Sequence, residues 1–252
     1  MWYILLCQLR KDDSVLRIFY VIIISLPFIL FYLCKAGYIE RHTERYTEED
    51  RYRVARRAVS IMQRNGMIHT DVYGTENLPK EGGYVMYSNH QGKYDALGII
   101  SGHPAPCTVM IDDKRSHQLV TSQFVTLLKG SRLDKSDMKS QLKTILDVVT
   151  QVKSGRRYII FPEGGYDHNR NEVHEFLPGA FKCAMKSKSP IVPVVLIDSY
   201  KPFGVNSLKP VKTQVHFLRP IFFEDYKEMN SKEIAEYTRS KIVNVIDEIC
   251  GK

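Results

Sequence analysis

Beyond residue 46 the chain alternates between two hydrophobic periods. Short β-branched, aromatic or continuously apolar runs at 68–73, 84–88, 107–111, 157–161, 190–196 and 214–218 read as strands. Between them lie segments whose apolar residues return every three or four positions. The segment 47–66 carries Tyr52, Ala55, Val59 and Met62 on one stripe, with Thr47 and Asp50 at its start as capping residues and Gly66 to stop it. The segment from 138 carries Met138, Leu142, Ile145, Leu146, Val149 and Val152 on one face and is closed by Gly155. Further helices are expected at 96–100, at 116–128, from Phe176 to Lys182 onward, and at 231–249, the last capped by Asn230 with Glu233. Strands separated by helical patterns predict an α/β sheet covered on both faces. There is no internal repeat and no low-complexity segment.

The first forty residues follow a different pattern. Residues 18–34 contain no charge, which as a helix covers about 26 Å of a hydrocarbon core roughly 30 Å thick. That is a marginal span, and Pro27 near its middle makes a kinked or re-entrant helix as good a reading as a straight crossing. Residues 1–9 are also apolar, with Trp2 and Tyr3 suited to an interface. A cleavable leader fits poorly, because Asp12 and Asp13 precede the apolar core and no small-x-small site follows it. Residues 1–40 are therefore expected to be a membrane anchor and 41–252 a separate domain. The excess of Lys35, Arg41, Arg45, Arg51, Arg53, Arg56 and Arg57 after the apolar stretch predicts that this domain faces the cytoplasm.

Charge and composition narrow the partners without choosing among them. The 252 residues are 44% hydrophobic with a net charge of +8, enough for a buried core under a basic surface that suits nucleic acid, anionic lipid or small anions. The basic residues lack the aromatic interleaving of a single-strand nucleic-acid platform. Five scattered cysteines without CxxC spacing read as reduced thiols. His168, His174, Asp167, Glu172 and Glu175 have no metal-site spacing, and there is no GxSxG elbow, Walker loop or dinucleotide fingerprint.

The chemistry concentrates in 84–95. His90 and Asp95 are five residues apart, and on one helix their side chains would point roughly 140° apart. They meet only across a turn: His90 just past a strand, Gly92 in the turn, and Asp95 in the first helical turn, where the dipole favours a carboxylate. Such a carboxylate fixes the imidazole tautomer and leaves the other nitrogen to take a proton from a hydroxyl. Further on, 129–135 places Arg132 and Lys135 beside Gly130 at a loop-to-helix junction, suited to a phosphate or to a solvated loop. Glu163 and Gly164 end a buried-type strand, where open α/β sheets place functional groups.

Asn89-His90 with Asp95 resembles the NHxxxxD motif of the 1-acylglycerol-3-phosphate acyltransferase family, and three further blocks resemble that family in order. The stretch 129–135 is similar to its second motif, although Lys135 stands where Arg is usual and Arg132 where an apolar residue is frequent. Phe161-Pro162-Glu163-Gly164 resembles FPEGT, but Gly165 replaces Thr or Ser and Tyr166 stands where Arg is frequent. The strand centred on Pro193 resembles the fourth motif, which shapes the acyl pocket. The resemblance implies a mixed, mostly parallel sheet flanked by helices, and transfer of a fatty acyl group from acyl-carrier protein or coenzyme A to 1-acylglycerol 3-phosphate with no further cofactor and no metal. It implies His90 and Asp95 as catalytic residues, and Arg132, Lys135, Glu163 and Gly164 as substrate-binding ones. Glu163 would then hydrogen-bond an acceptor hydroxyl, or else be a buried carboxylate taking a backbone donor. Backbone N–H groups around Gly92 are the candidate oxyanion donors. Acylation of another lysolipid, or non-catalytic binding of anionic lipid, are the alternatives.

Overall fold

The computed structural model describes residues 16–251 except His168, and of Leu119 only the backbone; the expected interfacial residues Trp2 and Tyr3, the apolar stretch 1–9 and His168 lie outside the described residues. Strands β1 (Ile68–Tyr73), β2 (Tyr84–Ser88), β3 (Thr108–Asp112), β4 (Ser131–Leu133), β5 (Arg157–Ile160), β6 (Ile191–Ile197) and β7 (Val211–Phe217) form one sheet in the order β1-β7-β6-β2-β5-β3-β4. All neighbouring pairs are parallel except β6 and β7. This is the mixed, mostly parallel α/β sheet anticipated from the sequence.

β2 lies at the centre of this sheet, and each of its residues is buried. Alternation sends Tyr84 and Met86 into the core on one face and Val85 and Tyr87 into the core on the other, the pattern of a strand covered on both sides. The first face is covered by α2 (Glu48–Asn65), α3 (Asp95–Gly102) and α4 (Leu119–Leu127). The second is covered by α5 (Met138–Lys153), α6 (Lys182–Ser187) and α7 (Ser231–Cys250). Capping boxes at Thr47 with Asp50 and at Asn230 with Glu233 start α2 and α7.

Three local expectations are corrected. The helix expected at 116–128 is broken, because a separate helical turn, Asp113–Ser116, is capped by the Asp112 side chain before α4 begins. The loop expected at 129–135 contains β4, paired with β3. The stripe expected to bury α5 is divided: Val149 and Val152 are buried, whereas Met138, Leu142 and Leu146 face solvent.

Helix α1 (Leu16–Arg41) is 26 residues long, about 39 Å, and keeps Pro27 within an unbroken helix. By length and composition it can cross a membrane. One stripe, including Val21, Ser25, Ala36 and Ile39, is buried, and the helix packs against α2 and α4. The rest, including Ile23, Ile24, Phe28, Leu30 and Phe31, is exposed and apolar. Arg17 is buried, its guanidinium donating to the carbonyls of Gly66, Ser207 and Lys209. Gly66 favours this docking: a Cβ there would lie 3.0 Å from Val21 of α1, a tight contact, and the left-handed turn after α2 is made by Met67 instead.

Candidate active site

The site forms outside the carboxyl ends of β2, β5 and β6, the crevice that open α/β sheets offer to ligands. As the chain leaves β2, Asn89 replaces a strand residue. Its side-chain Nδ2–H donates to the Leu196 carbonyl (2.9 Å) while its Oδ1 accepts from the Leu196 N–H (2.8 Å). This holds β2 against β6 up to the residue before His90.

His90 Nδ1–H donates to Asp95 Oδ2 at 2.7 Å. Because an ionised carboxylate only accepts, this bond puts the proton on Nδ1 and leaves Nε2 as the basic nitrogen. The Asp95 side chain is fully buried. Its Oδ2 also accepts from the Gln91 and Gly92 N–H groups, and its Oδ1 accepts from Ser199 Oγ at 2.6 Å. Position at the start of α3 adds the favourable end of the helix dipole. Gly92 has an ordinary negative φ; its contribution is the N–H given to Asp95. The N–H groups of Gln91 and Gly92 are thus spent inside the turn, which corrects their expected use as oxyanion donors. Ser199 is delivered by Asp198, a non-glycine residue in the left-handed region (φ 59°). Asp198 is held there by Asn171 and by Lys201.

The His90 ring is 16% exposed. Phe161 stacks on it with centroids 4.3 Å apart, and Tyr166 meets it edge-on at 4.7 Å. The Arg115 guanidinium stands over the Tyr166 ring at 5.1 Å, so the residue found at the expected Arg position is a platform between a cation and the imidazole.

Glu163 has a fully buried side chain. Its Oε1 accepts from the His90 N–H (2.8 Å), and its Oε2 accepts from Asn169 Nδ2 (3.2 Å) and the His174 N–H (3.3 Å). Burial pushes its carboxyl up to about 7, opposed by the backbone donors of His90 and His174. Of the two expected roles, the geometry is that of the buried carboxylate: Glu163 braces the loop carrying His90, with no free face for an acceptor hydroxyl. Gly164 adopts φ 74°, and a Cβ there would come within 2.7 Å of Leu177. Its carbonyl accepts from Lys135 Nζ at 2.7 Å, and Lys135 also lies 3.4 Å from Asp112. Arg132 goes elsewhere. Its Nε donates to Ser116 Oγ and its Nη2 to Thr126 Oγ1 and the Ser122 carbonyl, which tie β4 to the Asp113–Ser116 turn and to α4. Lys135 is therefore the expected cation that reaches the Glu163–Gly164 turn, and Arg115, which sequence reasoning missed, adds a second cation over Tyr166.

This arrangement can remove a proton from a hydroxyl: a basic Nε2, an orienting carboxylate saturated with hydrogen bonds, and nearby cations for an anionic substrate. Covalent catalysis by the buried cysteines is disfavoured, since burial pushes the Cys107 and Cys183 thiols up to about 12.

Comparison with known proteins bears on the same residues. The chain is 29% identical over 184 residues to the 1-acyl-sn-glycerol-3-phosphate acyltransferase of Saccharomyces cerevisiae, covering 71% of this chain and 60% of that protein. It is 29% identical over 170 residues to the enzyme of the same name from Escherichia coli, covering 67% and 69%. It spans less than two thirds of the yeast protein's length. The crystal structure of the 1-acyl-sn-glycerophosphate acyltransferase PlsC from Thermotoga maritima superimposes with a TM-score of 0.74 over 96% of this chain and 98% of that one; at 19% identity this likeness speaks for the fold. The Acyltransferase family model matches residues 69–197, more than half of the chain and the whole span from His90 to the end of β6. On that match, over a site built to deprotonate a hydroxyl, this chain belongs to the acyltransferase family.

Proposed function

We propose that this acyltransferase moves a fatty acyl group from a thioester of acyl-carrier protein or coenzyme A to the sn-2 hydroxyl of 1-acylglycerol 3-phosphate, giving phosphatidic acid. The observation that carries the reading is the His90–Asp95 pair, in which both carboxylate oxygens are occupied and Nδ1 is committed. His90 Nε2 takes the hydroxyl proton as the oxygen attacks the thioester carbonyl. The C–O bond forms, the C–S bond breaks, and the imidazolium, balanced by Asp95, returns the proton to the departing thiolate. Lys135 and Arg115 hold the acceptor's phosphate, and Glu163 keeps the His90 backbone in register. The named relatives support the choice of acceptor.

Helix α1 lies within one leaflet, its docked stripe against α2 and α4 and its exposed stripe in lipid, with the catalytic domain on the cytoplasmic side. The length over which α1 rests against the domain supports this placement over an upright crossing.

The test is acyl transfer by detergent-solubilised protein from labelled acyl-carrier protein and acyl-coenzyme A to a panel of lysolipids. His90→Ala is expected to cost about 10²- to 10⁴-fold in turnover with the melting temperature retained. Product from a different lysolipid alone would move the acceptor and keep the mechanism. If no acceptor gave His90-dependent product, the protein would be a lipid-binding one.

A further inference from the structure

At the end of the sheet opposite His90 lies a cavity of about 390 Å³. Its walls come from residues that precede strands: Cys107 before β3, Leu128 and Lys129 before β4, and Arg156 before β5. Thr43 and Tyr46, just past the end of α1, and Arg51 of α2 close it. Every residue assigned above to the reaction lies beyond the carboxyl end of a strand, so this cavity is separate from the acyl-transfer site.

Its charges do not balance. Three cations, Arg51, Lys129 and Arg156, line it with one carboxylate, Glu48, and that carboxylate already pairs with Arg156 Nε at 2.9 Å. The other Arg156 donors go to the Leu128 and Lys129 carbonyls and to Gln151. Arg51 is 5% exposed; its Nη2 donates to the Thr43 and Tyr46 carbonyls, whereas its Nε is buried without a partner among the described residues. Lys129 is exposed, its ammonium donates to no described residue, and it holds a left-handed backbone (φ 49°). Partial desolvation, followed by the charges of Arg51 and Arg156, lowers its affinity for a proton, opposed by Glu48. A buried guanidinium with no carboxylate paired to it and one N–H without an acceptor is costly unless an anion meets it.

We infer that this cavity is a second site, which binds a phosphate-bearing anion between Arg51 and Lys129. A tetrahedral oxyanion matches the excess of positive charge, offers acceptors to the Arg51 guanidinium and the Lys129 ammonium, and leaves room for an attached group. Two sources share that chemistry: free phosphate, and a phospholipid headgroup reached where α1 ends at Arg41, two residues before the lining residue Thr43.

The test follows the Arg51 Nε–H resonance of full-length, ¹⁵N-arginine-labelled protein in zwitterionic detergent, assigned with Arg51→Lys. Inorganic phosphate is titrated against chloride at equal ionic strength, and nanodiscs of phosphatidic acid are compared with nanodiscs of phosphatidylcholine. The resonance is expected to shift saturably with phosphate or with phosphatidic acid. Lys129→Asn, which tolerates the left-handed backbone, should weaken the effect by about tenfold or more, and Lys135→Ala, at the other end of the sheet, should leave it unchanged. A shift in phosphatidic acid discs alone identifies the headgroup, and a shift with both identifies the phosphate itself. A resonance that moves with neither, or moves equally in Lys129→Asn, overturns the site, whatever the outcome of the acyl-transfer assay.

Discussion

Replacing Glu163 by Gln separates two consequences of burying that carboxyl. The first is independent of pH. The Gln amide can accept from the His90 N–H through one atom, but its NH₂ then faces the Asn169 amide and the His174 N–H, both donors. Loss of those bonds is expected to cost about 1–3 kcal/mol at every pH. The second depends on pH. The folded protein holds the Glu163 proton up to about 7, against 4.5 for an unperturbed Glu. Folding then favours the protonated form, so the contribution is fully present below the unfolded value and fades as pH rises through about 7. Between pH 5.5 and 8 the linkage integrates to about 2 kcal/mol of stability lost by the parent protein and not by the Gln variant. At about 2–4 °C per kcal/mol for a chain of this size, that is about 4–8 °C. The assay is the melting temperature of both proteins across that range at fixed detergent and salt. The gap between them should narrow, or change sign, as pH rises. A gap that stays constant from pH 5.5 to 8 would refute the reasoning, because it would mean Glu163 titrates alike folded and unfolded.

Ser199→Ala leaves Asp95 Oδ1 buried and unpaired and is expected to lower kcat by about 10- to 100-fold with KM little changed, while Ser199→Thr keeps the hydroxyl and most of the rate; equal losses in both would assign the serine to packing. Arg115→Ala and Lys135→Ala should each raise KM for the phosphate-bearing acceptor by about tenfold. Arg132→Ala should instead lower the melting temperature with KM intact, and the reverse pattern in steady-state kinetics would exchange their roles. Ile24→Asp with Phe28→Asp places charge on the exposed face of α1 and should release the protein from co-sedimenting vesicles without loss of helicity; undiminished co-sedimentation would remove that face from the lipid contact.

The parts of the site that were legible in the sequence are those fixed by local geometry. A His and an Asp five apart with a strand before and a helix after can meet only through one kind of turn, and they do. Thr47 and Asn230 announced their helices because a capping residue and its partner lie three positions apart. Arg132 and Lys135 could not be told apart, because β4 is three residues long, too short to display a period of two. Once it is a strand, alternation turns Ser131 toward Tyr158 and Arg132 toward Thr126 of α4. Ser199 left no local trace, being 104 residues from the carboxylate it serves. Glu163 was found as a functional position, but its role depended on burial by Asn169 and His174, which lie in a polar loop with no periodic signal.

Asn89 has a consequence for how the catalytic histidine is presented. A primary amide offers the same donor and acceptor pair as the peptide unit, so at this position the side chain acts as a backbone surrogate and the main chain is released to turn while the sheet remains closed behind it. The requirement is stringent: aspartate has no donor, leucine has neither group, and glutamine carries the amide one methylene too far. The residue before His90 is thus a fastener, separating a rigid sheet from a loop free to take the shape that chemistry demands.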